Sequence, residues 1–166
     1  MKATVEWNGG VGFTGVATSG SGVPILMESG LSTEGNSLAA RPMELIAIGL
    51  AGCIAMDVLS ILEKKRQKVV SYRVNVDAPR SPEYPKVFTS AMITFILSGI
   101  QIDEHALLRS IELAATKYCP AHAMLAGAFP ISIGYEIYED GEGDHNHLIH
   151  QGTWQEPPPQ DLESNI

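Results

Sequence analysis

The chain is short of the features that decide several function classes. Of its 166 residues only two are cysteine and 18% are charged. Two cysteines cannot frame a chain of this length with disulfides, so the thiols are either inert or redox-active in a reducing compartment. The net charge is −8, and the one basic run, Lys64-Lys65-Arg66, ends a helical pattern whose negative end it complements. This argues against unspecific nucleic-acid binding, which needs Lys and Arg to neutralise phosphates. No leader pattern is visible, because Met1 to Trp7 reads as a strand. The longest apolar stretch, Leu45 to Met56, is about half of the ~20 residues that a membrane span requires. Gly20-Ser21-Gly22 is no phosphate loop, since no Lys-Ser/Thr comes after it. The expectation is a cytoplasmic protein with neither a membrane nor a nucleic-acid partner.

The residues that are present are mostly apolar: 45% are hydrophobic. A chain of this length buries a real core as one domain. With so little charge, some apolar surface is expected to be covered by a second subunit. Residues 2–7, 11–17 and 23–28 read as strands separated by Gly9-Gly10 and Ser19 to Gly22. Residues 29–40 read as a loop. Pro42 suits a first helical turn, and the helical pattern runs to about Gln67. Strands come next at 70–78 and 87–98, with a proline-rich turn between them. Asp103 caps a helix to Tyr118, Pro120 opens a short one, and 131–138 is a last strand. The order βββ-α-ββ-α-α-β indicates an α+β fold. Residues 1–138 are the expected domain and 139–166 a flexible tail, in which Leu148, Ile149 and Trp154 are the residues able to dock.

The first helix is apolar on nearly every face between Leu45 and Leu62, which requires cover on all sides. Gly49 and Gly52 within it each cost roughly 1 kcal/mol of helix propensity relative to alanine. Close approach of another backbone is the expected compensation. Cys53 lies in this run. Cys119 lies in Lys117-Tyr-Cys-Pro-Ala-His122, at a helix start, where backbone N–H groups favour a thiolate.

Three motifs occur in order: Pro42-Met-Glu-Leu45, Gly49-Leu-Ala-Gly-Cys53 and Tyr118-Cys119-Pro120. Together with the element order they resemble the OsmC/Ohr superfamily, the osmotically induced and organic-hydroperoxide-resistance proteins, over roughly residues 1–138. Ala55-Met-Asp-Val58 and Pro85-Lys-Val-Phe88 look like its YhfA-type branch. The resemblance implies antiparallel curled sheets around a long central helix, in an intertwined homodimer. It also implies thiol peroxidase chemistry: Cys53 attacks the O–O bond of an organic hydroperoxide and becomes a sulfenic acid, and Cys119 resolves it as a disulfide. A dithiol reductant, such as a lipoyl protein, then restores both thiols. No metal or other cofactor is required.

The resemblance also exposes a difficulty. Burial raises a thiol's pKa, so a positive group must favour the thiolate. In the family an arginine held by a glutamate does this, and the glutamate position is Met43 here. Glu44 stands one residue, about 100° of helix, further on. The only arginine before Pro42 is Arg41, 12 residues from Cys53, or roughly 18 Å along a straight helix, within reach of a partner subunit's thiol rather than its own. Asp57 lies one turn beyond Cys53 on the same face. Paired with Arg41, Arg73 or Arg80, it would substitute for the missing carboxylate.

Each of these residues also has a plain structural reading. Cys53 and Cys119 are core residues, Glu44 complements the helix dipole, Arg41 is a solvated flank, and the two glycines serve packing. His122, shortly after Cys119, is able to assist a thiol but reads first as a partly exposed helix histidine. His145, His147 and His150 have ligand-like spacing but fall in the tail, so no metal site is expected there. The alternative to the peroxidase is a non-enzymatic relative that binds a small apolar ligand at the dimer interface. A third reading is a structural stress protein whose thiols are inert.

Overall fold

A computed structural model of the chain describes residues 1–29, 39–139 and 147–155. The chain divides into two compact units, residues 1–48 and 49–166.

In the N-terminal unit, β1 (Thr4–Gly9), β2 (Gly12–Val16) and β3 (Pro24–Glu28) form an antiparallel meander in sequence order. Gly9 and Gly10 adopt φ of 94° and 56° in the first turn, a conformation that a side chain disfavours. Trp7 closes this turn by donating its indole N–H to the Gly10 carbonyl at 3.0 Å. Phe13 sits opposite Trp7 on one side and Met27 on the other. Most of the expected 29–40 loop lies outside the described residues. Helix α1 (Pro42–Lys64) then opens with Pro42 in its first turn. The Arg41 N–H donates to Glu44 Oε2 at 2.9 Å, the returning half of a capping box.

Helix α1 stops three residues before the expected Gln67. The Arg66 N–H donates to Glu63 O and the Gln67 N–H to Leu62 O, with Arg66 at φ 59°. This pair of bonds is a Schellman ending, with arginine in the left-handed position usually held by glycine. At 23 residues the helix is long and apolar enough, by length and composition, to cross a membrane. Its Leu50, Ile54, Val58 and Leu62, spaced every four residues, instead form the core of the second unit.

That core is built on a four-stranded sheet in the order β4 (Lys68–Asp77), β5 (Ala91–Ile100), β6 (Ile131–Glu139), β7 (His147–Trp154). Ala91, Ile93, Phe95 and Leu97 alternate inward along β5, as do Ile133, Tyr135 and Ile137 along β6. β5 begins later than expected, because Thr89 bonds back to Pro79 and Phe88 pairs with Arg80. Within an otherwise antiparallel arrangement, β5 and β6 run parallel, and Ala91 pairs with Ile131. The crossover between them is made by α2 (Glu104–Leu113), a π-helical turn (Ala114–Tyr118) and α3 (Pro120–Ala126). The Asp103 side chain caps α2 through the His105 N–H, as its sequence position predicts. β7 falls in the segment expected to be tail and lies antiparallel to β6, with Trp154 packed against the core. Residues 140–146 and 156–166 lie outside the described residues.

The two helix glycines depart from expectation. A Cβ on Gly49 or Gly52 would meet no described atom within 4 Å. No described backbone of this chain explains them.

Candidate thiol site

Cys53 projects half-buried from α1, and Asp57, also half-buried, comes one turn later. Between them, the Ala55 carbonyl accepts the Tyr72 hydroxyl at 3.0 Å, which ties β4 to this turn of the helix. Burial raises the Tyr72 hydroxyl pKa well above its ordinary value, so it stays a donor.

Cys119 arrives from the crossover. Helix α2 widens into the π-turn, where the Cys119 N–H reaches the Ala114 carbonyl at 2.9 Å. Such turns insert one residue into the helical phase and re-aim the residues beyond them. Pro120, in the first turn of α3, cannot continue the ladder, so Cys119 takes an extended conformation at φ −77° and ψ 104°. It becomes the N-cap of α3, its Sγ accepting the His122 N–H at 3.4 Å. Cys119 is buried, and so is His122, which departs from the partly exposed histidine expected, because its turn of α3 packs inward. As a result the Cys53 Sγ, the Cys119 Sγ and an Asp57 carboxylate oxygen all lie within 4.8 Å of one another. Both cysteines are free thiols.

The electrostatics reverse one expectation. A helix start favours a thiolate, and the His122 and Ala121 N–H groups do lower the Cys119 pKa. Burial is the larger influence, and the hydrogen bond and charge of Cys53 add to it, so the thiol is pushed up to about 11. None of the groups acting on this thiol is a cation. The expected pairing of Asp57 with an arginine is also not formed: among the described residues Asp57 makes no ion pair. Arg80 instead donates to the Lys86 carbonyl at 2.7 Å. Arg73 borders a separate cleft on the sheet with Ser71, Ser98 and Tyr138. Arg41 and Glu44 meet each other in the cap of α1, in the N-terminal unit.

A cleft of about 280 Å³ opens beside Asp57, lined also by Ser60, Ile61, Lys64, Leu113 and Tyr118. Tyr118 and Lys64 carried no signal in the sequence that would have marked them as cleft residues; the π-turn places one and the last turn of α1 the other. Of the tail histidines, His145 lies outside the described residues. His147 and His150 belong to β7, and His150 Nδ1 stands 3.4 Å from Glu104 Oε2. Glu104 Oε1 in turn accepts the Tyr135 hydroxyl at 2.7 Å.

Two neighbouring free thiols can be oxidised to a disulfide, and two sulfurs with a carboxylate can ligate a soft cation. The family relationship comes from comparison with known proteins. A family model described as OsmC-like protein matches residues 34–134. Protein YhfA of Escherichia coli K12 is 40% identical over 139 residues, covering 82% of this chain and 98% of that protein. Two solved structures share the fold. The OsmC-like protein of Mycoplasma pneumoniae superposes with a TM-score of 0.67 at 16% identity, over 84% of this chain and 96% of that one. The organic hydroperoxide resistance protein OhrB of Bacillus subtilis gives 0.56 at 13% identity, over 81% and 98%. The chain belongs to the OsmC-like family, in its YhfA-like branch.

Proposed function

We propose that the protein is a cysteine-based thiol peroxidase that reduces organic hydroperoxides. The observation that carries this reading is the approach of two free thiols to within 4.8 Å, one half-buried and one buried. The fold it shares with a protein named for organic hydroperoxide resistance supports the substrate class. Cys53, the more accessible thiol, attacks one peroxide oxygen as its thiolate. The O–O bond breaks, the alcohol leaves with a proton, and Cys53 becomes a sulfenic acid. The Cys119 sulfur then attacks the Cys53 sulfur, a disulfide forms, and water leaves. A dithiol, with a lipoyl protein as one candidate, reduces the disulfide and is itself oxidised to a disulfide. Arg41 and Glu44 act in this scheme from a partner subunit, and the working unit is a homodimer. Free thiols fit the reducing cytoplasm.

The absence of a cation among the groups acting on Cys119, with Asp57 making no ion pair among the described residues, favours a second reading. In it the protein binds a small apolar ligand without chemistry. In the N-terminal unit, a cleft of about 320 Å³ lined by Val5, Phe13, Met27 and Pro42, with Glu28 and Ser29 at its wall, suits such a ligand.

Stopped-flow turnover of cumene hydroperoxide with a dithiol, in the presence of a metal chelator, decides between them. The peroxidase predicts fast consumption that Cys53→Ser abolishes. No consumption, with both thiols intact by mass after excess hydroperoxide, overturns it and leaves ligand binding.

A further inference from the structure

We propose that Cys53, Asp57 and Cys119 form a binding site for a thiophilic divalent cation of the zinc type, with a fourth ligand position left to water or a small ligand. Such a site stands or falls independently of the peroxidase reading.

The donor set points to it first. Two sulfurs and one carboxylate oxygen converge within 4.8 Å of one another. Zinc binds thiolate sulfur at about 2.3 Å and carboxylate oxygen at about 2.0–2.2 Å. A tetrahedron with those bonds separates its ligand atoms by roughly 3.5–3.8 Å. Side-chain shifts of about 1 Å therefore close the site, with no rearrangement of backbone. Thiolate donors select zinc-like cations over magnesium and calcium, which require oxygen.

The scaffold supports the same geometry. Cys53 and Asp57 are one turn apart on α1, whose adjoining side chains Ile54 and Val58 are fully buried. Cys119 is fixed by the π-turn and the proline after it. The His122 N–H already donates to the Cys119 Sγ, the kind of contact that orients a ligating sulfur.

Charge favours the same occupant. Asp57 is half-buried and makes no ion pair with any described residue. Ionised thiols beside it would gather further negative charge, which no ion pair among the described residues offsets. A divalent ion supplies that balance, and thiols bind it as thiolates. Of the three protein ligands, Asp57 lines a cleft of about 280 Å³, and a fourth position is left for water or a small ligand. That count is typical of sites that exchange a ligand rather than of closed structural ones.

The test uses the full chain, reduced and stripped of metal, with cobalt(II) as the spectroscopic probe. The expected result is a thiolate-to-cobalt charge-transfer band, with d–d bands of tetrahedral intensity, saturating at one ion per chain and bleached by zinc. Histidines of β7 cannot produce the thiolate band. Cys53→Ser and Cys119→Ser should each remove most of it. Asp57→Asn should keep the band and weaken zinc binding by about tenfold or more, read by competition with a chromophoric chelator. Absence of the thiolate band in the wild type overturns the proposal, as does an unchanged band in both cysteine variants. Unchanged zinc affinity in Asp57→Asn removes the carboxylate and overturns the site as drawn. Should Cys119→Ser fail to fold, the wild-type spectrum and Asp57→Asn still decide. Hydroperoxide turnover is measured in chelator, so either reading can fail while the other stands.

Discussion

Cys119 is held between opposed influences, and the outcome is measurable. Its sulfur caps a helix, yet its pKa is pushed up to about 11 because burial outweighs the two N–H groups. Alkylation of Cys119 by iodoacetamide should therefore be slow at neutral pH and rise steadily toward pH 11, as monitored by peptide mass. The same shift has a stability consequence. The unfolded thiol ionises near its ordinary value of 9.0. The folded thiol keeps its proton longer, so its contribution is fully present below that value and is lost as pH rises toward 11. The melting temperature should fall over that window, and fall less in Cys119→Ala. Tyr72→Phe removes the bond to the Ala55 carbonyl and should cost about 1 kcal/mol in denaturant unfolding. At this scale the two cysteines are singled out by their settings and by the family resemblance, and Asp57 by its place one turn from Cys53; the convergence of their side-chain atoms within 4.8 Å depends on the fold. The pairing proposed for Asp57 was not legible, because it depends on where Arg73 and Arg80 point along β4 and the turn after it. The local helix-start rule misjudged the Cys119 thiol, because burial comes from residues distant in sequence.

Elements show a similar division. The cap at Asp103, the helix start at Pro120 and the first three strands arise from local residue chemistry, which acts over a few positions. β7 was missed because it is an edge strand, exposed along most of its length, so His147 to Trp154 carry no sustained apolar alternation. The π-turn has no composition of its own; the sequence shows only the Pro120 beyond it. The end of α1 is open to improvement. Arg66 occupies a left-handed position at φ 59°, where an L side chain is strained. Arg66→Gly should raise stability by roughly 0.5–1 kcal/mol, seen as a higher denaturant midpoint with unchanged slope.

For the whole molecule, the excess of apolar residues reappears as surface. Trp7 and Leu26 are 67% and 60% exposed in the N-terminal unit, and Met56 on α1 is 70% exposed. A homodimer that covers such surface predicts that Met56→Glu shifts the chain toward monomer in sedimentation velocity. Such a dimer would also account for Gly49 and Gly52, which nothing described in this chain approaches. If a second copy packs there, alanine at both positions should weaken association; if not, each should simply strengthen α1 by about 0.8–1 kcal/mol. The parallel pairing of β5 with β6 has its own consequence, in time rather than in space. Ala91 meets Ile131 only once the whole crossover has folded back, and contacts so far apart in sequence form slowly. Cys119 travels on that crossover. During refolding its sulfur stays open to a fast alkylating pulse until the centre of the sheet closes, so the moment it becomes protected marks the closing of the sheet.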